Sequence, residues 1–124
     1  MREILFRGKL VDIEGKIIKD RDFIHGYYRK QSNGHIIYRK TDVLCGSEVD
    51  PETIEQYTGI NDANGNKIFE GDIVKNTVSS KIGVVKQIRG CWGVECGDRD
   101  FSLFDYPVKI IGNIADNSEL LKSI

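Results

Sequence analysis

Cys91 and Cys96, His25 and His35, and a scatter of carboxylates between Asp50 and Asp72 are the residues whose types could do chemistry in this chain. The cysteines stand five apart, and metal knuckles use closer pairs with a second pair elsewhere. In a strand, positions five apart point to opposite faces. Trp92, Val94 and Cys96 would then share one face, and Cys91, Gly93 and Glu95 the other. The expectation is a buried Cys96 and a half-exposed Cys91, since free cysteine packs as a small hydrophobe. A hairpin turn centred on Ser32-Asn33 would set His25 opposite Lys40 and His35 opposite Lys30. Two histidines far apart on a ladder, each beside a cation, make a poor metal or acid–base pair.

Asp50, Glu52, Glu55, Glu70 and Asp72 are near one another in sequence, and paired carboxylates can hydrolyse bonds. Their contexts point elsewhere. Asp50-Pro51-Glu52 is a helix-start signature, and Asp72 follows Gly71 where a strand begins. Asp62-Ala63-Asn64-Gly65-Asn66 is similar to the start of a calcium loop, but Ile73 holds the twelfth position, which needs a bidentate Glu. A polar turn is the better reading. There is no Gly-x-Ser-x-Gly elbow, phosphate-binding Gly-x4-Gly-Lys loop or Gly-x-Gly-x-x-Gly fingerprint. No catalytic residue, metal ligand or cofactor is expected, and the reading leans against an enzyme.

The 124 residues suit one domain, or two very small ones sharing an interface. Eighteen basic and nineteen acidic residues nearly cancel. Nucleic-acid binding would therefore need a local basic patch, and a membrane surface is a poor partner. Three cysteines form no disulfide framework and point to a reducing cytoplasm. The opening MREILFRGKL has charges inside its apolar stretch, so it is not expected to be a signal peptide.

Short apolar runs separated by Gly, Asn and Asp predict strands and turns throughout. Ile4–Arg7 reads as a strand. Leu10–Ile13 and Lys16–Lys19 read as a hairpin about Glu14-Gly15, with Val11 facing Ile18. Asp22–Arg29 and Gly34–Lys40 read as a second hairpin, and Val43–Cys45 as a short strand. One helical turn follows Asp50, and the stretch to Lys67 reads as linker and polar turn. Five strands then follow closely: Asp72–Val78, Ile82–Arg89, Cys91–Cys96, Phe101–Phe104 and Pro107–Ile114, with a helical turn over Asp116–Leu121. Glu70-Gly71-Asp72-Ile73-Val74-Lys75, with Gly83-Val84-Val85, looks like the opening of an SH3-like barrel. The predicted class is mainly β. An N-terminal antiparallel meander (1–48) and a motif-bearing linker (49–67) would precede an SH3-like small barrel (68–124) with little helix. No internal repeat is evident.

Four stretches together resemble the YopX family of phage and prophage proteins. They are Met1–Lys9; His25-Gly26-Tyr27-Tyr28; Val49–Gly59 continuing through Asp62, Asn64-Gly65, Ile68 and Glu70–Val74; and Ile111–Ile114 with Asn117 and Glu119–Leu121. Glu55 stands where the family commonly has Gly, and Ile24-His25 where it commonly has an aromatic. The resemblance implies a β architecture and a phage-derived origin, and it brings no established activity or catalytic set.

Three functions are weighed. The first is a non-enzymatic accessory protein binding a phage or host protein in the bacterial cytoplasm. The second is weak nucleic-acid binding through Lys75, Lys81, Lys86, Arg89 and Trp92. It is disfavoured because Trp92, Phe101, Phe104 and Tyr106 are the best core material in the barrel. The third is an enzyme with a dispersed site built from residues such as Gln56, Asp62, Glu70 and Asp72. The central motif is expected to be structural or partner-binding, through Gln56, Tyr57, Thr58, Gly59, Asp62, Gly65, Glu70, Gly71 and Asp72. In it, Tyr57 and Ile68 would anchor the linker on the core. A homo-oligomer is a further possibility.

Overall fold

The computed structural model describes residues 4–18, 21–32, 34–39, 42–97 and 99–121, and only the backbone of 42–45. The chain is mainly β. It forms two compact units, 1–57 and 58–124. Among the described residues there is no α-helix, and hence no helix long and apolar enough to cross a membrane.

The first unit holds β1 (Phe6–Gly8), β2 (Ile24–Gln31), β3 (Gly34–Arg39), β4 (Asp42–Glu48) and the start of β5 (Glu55–Asn61), hydrogen-bonded in the order β4-β3-β2-β1-β5. Ile24, Ile37 and Val49 form its buried core, with Phe6, Leu10, Tyr28 and Ile54 packed against them. The β2–β3 register sets Lys30 opposite His35, as the turn position predicts. A 3-10 turn over Pro51–Thr53 is capped by Asp50, whose carboxylate accepts the Glu52 N–H at 2.8 Å.

The first hairpin departs from its predicted register. Val11 pairs with Ile17 rather than Ile18. Gly15 takes φ +81° and makes the loop one residue longer than a two-residue turn. Lys19, Asn33 and Lys40, invoked in the sequence reading of the two hairpins, lie outside the described residues.

In the second unit, the far end of β5 pairs with β6 (Lys67–Phe69). Both strands fall where the sequence reads as linker and turn. A five-stranded antiparallel sheet follows, made of β7 (Asp72–Asn76), β8 (Ile82–Ile88), β9 (Cys91–Glu95), β10 (Phe101–Ser102) and β11 (Val108–Asn113). Its order is β10-β9-β8-β7-β11: a four-strand meander whose last partner returns beside the first strand. Neither sheet closes into a barrel. Ile68, Val74, Val85, Val94, Cys96, Leu103 and Val108 form the buried core. Gly83 sits where backbones approach closely: a Cβ there would collide with the Glu95 carbonyl oxygen and come within 2.7 Å of Val94 Cγ1. The chain's last described turn is 3-10, over Ser118–Leu121.

Candidate functional site

Every carboxylate of the central motif whose contacts are described holds backbone or a buried cation. Asp62 is the most heavily used. Its Oδ1 accepts the N–H groups of Asn64 and Asn66 at 2.9 and 2.8 Å, which closes the turn between β5 and β6. Its Oδ2 accepts the Ile110 N–H of β11 at 3.2 Å, and the neighbouring Ala63 N–H donates to the Val108 carbonyl at 2.8 Å. Burial alone would raise the Asp62 pKa. The N–H groups of Asn66, Ile110 and Asn64 outweigh that and hold it below its ordinary 3.8. Gly65 donates back to the Asp62 carbonyl with φ +83°, the conformation this turn requires.

Asp72, 2% exposed, accepts the Phe69 N–H through Oδ2 at 2.8 Å and so ties β6 to the start of β7. Between them Gly71 has φ +86°. Its N–H donates to the Val85 carbonyl, and its carbonyl accepts the Ile114 N–H. Thr58 is buried, with Oγ1 donating to the Ile68 carbonyl at 2.9 Å and accepting the Ile60 N–H at 3.1 Å. Tyr57 is buried in the first unit, and its N–H reaches the Leu5 carbonyl at 2.8 Å. Gln56 pairs with Phe6 in the sheet, Gly59 is exposed with φ +84°, and Glu70 is half-buried.

Glu55 is also buried and pairs with Arg7, Nε to Oε1 at 2.9 Å. The Phe23 ring lies 4.2 Å from the Arg7 guanidinium carbon and 4.4 Å from Lys9 Nζ. Lys9 is 3% exposed and donates to the Arg21 carbonyl. Sequence reasoning missed this buried cationic cluster.

The histidines do not meet. The His35 ring stacks on Tyr28, its Nδ1 2.6 Å from the phenol oxygen. His25 stands opposite Arg7 in the β1–β2 register. Although much of its area is exposed, the protein around its ring desolvates it. That desolvation and then the Arg7 charge lower its pKa from 6.5, against a smaller opposing pull from Asp22. Cys91 is exposed and Cys96 is buried, both as free thiols, on the faces that strand alternation predicts. Among the described residues no group of three His, Cys, Asp or Glu could hold a metal ion.

The described cavities lie elsewhere, in the second unit. One of about 500 Å³ is bordered by Val78, Lys81, Arg99, Asp105 and Tyr106. This region corrects one expectation. Phe104 and Tyr106, read as core, are 71% and 44% exposed, while Leu103 between them and β10 is buried at 3%. Phe101 and Trp92 do pack against the core, and Tyr106 meets Phe101 edge-on at 5.6 Å. Of the cations considered for a phosphate patch, Lys86 forms an ion pair with Glu95.

The geometry thus defines a two-unit β protein in which Asp62, Asp72 and Thr58 of the central motif hold backbone groups, and in which exposed apolar side chains occur in both units, Val78, Phe104 and Tyr106 on loops of the second. The YopX protein family model matches residues 6–122, nearly the whole chain, and the chain belongs to that family. A search of curated proteins finds no match.

Proposed function

We propose that this chain is a non-enzymatic accessory protein of phage or prophage origin. On this reading it works in the bacterial cytoplasm and binds another phage or host protein through the loops of its second unit. The observation that carries the reading is the exposure of Val78, Phe104 and Tyr106 on neighbouring loops, Val78 and Tyr106 beside the cavity of about 500 Å³. The β7–β8 and β10–β11 loops are held together by the Thr77 N–H and hydroxyl donating to the Pro107 carbonyl, both at 3.0 Å. Apolar side chains fixed on a polar-rimmed loop surface mark interaction sites. We also infer that the second unit is an open member of the SH3-like class. Its support is the strand order, in which the last strand returns to pair with the first. Such folds host many functions, so the loops rather than the fold carry the argument.

Weak nucleic-acid binding is the second reading. The exposed Phe104 and Tyr106 supply stacking faces, and Tyr106 borders the cavity that Lys81 and Arg99 also line. Asp100 and Asp105 line the same cavity and dilute that charge.

One comparison separates the readings. Tagged chain is recovered from bacterial cells that carry its gene, alongside a Phe104→Ser/Tyr106→Ser variant of equal thermal stability. The proposal expects a co-purifying protein that the variant loses. It also expects affinity for random single-stranded DNA weaker than about 10⁻⁵ M near 150 mM salt. Sub-micromolar DNA affinity that falls steeply with salt, and no protein dependent on these two side chains, would replace the first reading with the second.

A further inference from the structure

Among the described residues one turn occurs twice, and the second copy alone holds a strand against its outward side. In Asp62–Asn66 the Asp62 N–H donates to the Asn66 carbonyl at 2.7 Å and the Gly65 N–H to the Asp62 carbonyl at 3.0 Å. Oδ1 of Asp62 accepts the N–H groups two and four residues on. In Asp12–Lys16 the Asp12 N–H donates to the Lys16 carbonyl at 2.8 Å and the Gly15 N–H to the Asp12 carbonyl at 2.9 Å. Oδ1 of Asp12 accepts Glu14 and Lys16 N–H groups at 2.9 and 3.0 Å. The glycines match at φ +81° and +83°. This is a repeat of four hydrogen bonds and an Asp-x-x-Gly phrase, too short to register as a sequence repeat.

The outward sides of the two turns differ. At the second copy, the N–H after the Asp and the remaining carboxylate oxygen grip an extended strand: Ala63 N–H takes the Val108 carbonyl, and Asp62 Oδ2 takes the Ile110 N–H. The turn thus reads a carbonyl and the N–H two residues later, main-chain groups with the spacing of one edge of a strand. At the first copy the same two groups, Ile13 N–H and Asp12 Oδ2, have no partner among the described residues, and both residues are exposed, Ile13 fully. A carboxylate closing an Asx-type turn with one oxygen keeps the other for a second donor.

We propose that the Asp12–Ile13 turn is a docking site for an extended segment of a partner protein, gripped at its main chain as Asp62–Ala63 grips β11. The occupied copy indicates the sequence chemistry. It holds Val108-Lys109-Ile110, an apolar–basic–apolar run whose central Lys is exposed. At the first copy the carboxylates of Asp12 and Glu14 would add a charge preference for a basic central residue, and the exposed Ile13 adds apolar contact that Ala63 does not offer. Main-chain pairing supplies the grip and the alternate side chains the preference, as in strand-addition recognition. The inference does not rest on the loops of the second unit.

The test uses the full ¹⁵N-labelled chain and a capped peptide with the chain's own Pro107–Asn113 sequence, the one occupant whose pairing is seen. Saturable movement of the Ile13 amide signal at millimolar peptide is the expected result. Asp12→Asn keeps the turn-closing oxygen but presents an NH₂ in place of Oδ2, so affinity should fall about tenfold while the Gly15 signal stays put. A peptide N-methylated at the Ile110 position should not bind, and one with Lys109→Glu should bind more weakly. An unmoved Ile13 signal, or equal shifts with Asp12→Asn or the N-methylated peptide, would overturn the proposal. An Ile13 signal that moves with protein concentration alone would also overturn it, by making a second copy of the chain the occupant.

Discussion

Asp62 and Ile110, 48 residues apart, are joined by a hydrogen bond of 3.2 Å in which the carboxylate that closes one turn also takes the amide of β11. A side chain with two such duties is hard to replace. An amide can accept on one side only, and a hydrophobe on neither. The same logic runs through Asp72, Thr58 and Gly71. These are polar or glycine residues in a buried setting, each meeting backbone groups that would otherwise go unpaired.

Gly26 should tolerate no side chain. A Cβ there would collide with the Tyr38 carbonyl oxygen and lie 2.7 Å from the Tyr38 carbonyl carbon, and backbone cannot yield as a side-chain tip can. Gly26→Ala is expected to cost about 2–4 kcal/mol, read as a lowered urea midpoint. Gly15→Ala, in open space, should cost less, through its φ alone.

Arg7→Met should be more damaging than the loss of a surface charge. It takes the ion-pair partner Arg7 from the buried Glu55 carboxylate, at a cost of about 3–5 kcal/mol in thermal or urea unfolding. Adding Glu55→Gln to the same chain should recover much of that loss, because the uncompensated charge goes with it. A double-mutant cycle with additive losses would show that the two side chains are not coupled.

The lowered His25 pKa gives a pH dependence of defined sign. The folded chain binds the His25 proton less readily than the unfolded chain, whose value is near 6.5. The associated stability is present above that value and is lost as pH falls through it toward the folded pKa. Wild type should therefore lose more stability than His25→Gln between about pH 7.5 and pH 5.5. Parallel urea titrations would check it, and identical slopes would remove His25 from the account.

The β7–β11 meander was legible in the sequence because its strands are short apolar runs bounded by Gly, Ser and Asp, and their edges fall within a few residues of the reading. Strands β5 and β6 were not. Glu55, Gln56, Asn61 and Lys67 break the apolar pattern, although Asn64-Gly65 is a strong hairpin signal. Arg7 and Lys9 are ordinary surface residues by type, and only the fold shows that Phe23 and Glu55 enclose them. Phe104 and Tyr106 mislead in the opposite direction. Their size argues for the core, but on the loop after β10 it is Leu103 that is buried. The Asp12 and Asp62 turns escaped notice as a pair because they share only an Asp and a Gly.

The central claim is that the Asp62 motif builds the fold while recognition lies elsewhere. Asp62→Asn tests it most directly, with thermal unfolding and partner recovery measured on the same preparation. The turn should survive through the remaining oxygen, but the Ile110 N–H would face an NH₂ group, a loss of about 1–3 kcal/mol. The predicted result is a melting point several degrees lower near neutral pH, with the difference from wild type shrinking as pH falls from the ordinary 3.8 of the unfolded chain through the lower pKa that Asp62 has when folded. At temperatures where the variant is folded it should still recover its protein partner. An unchanged melting point together with loss of the partner would contradict the account and make the motif the binding surface.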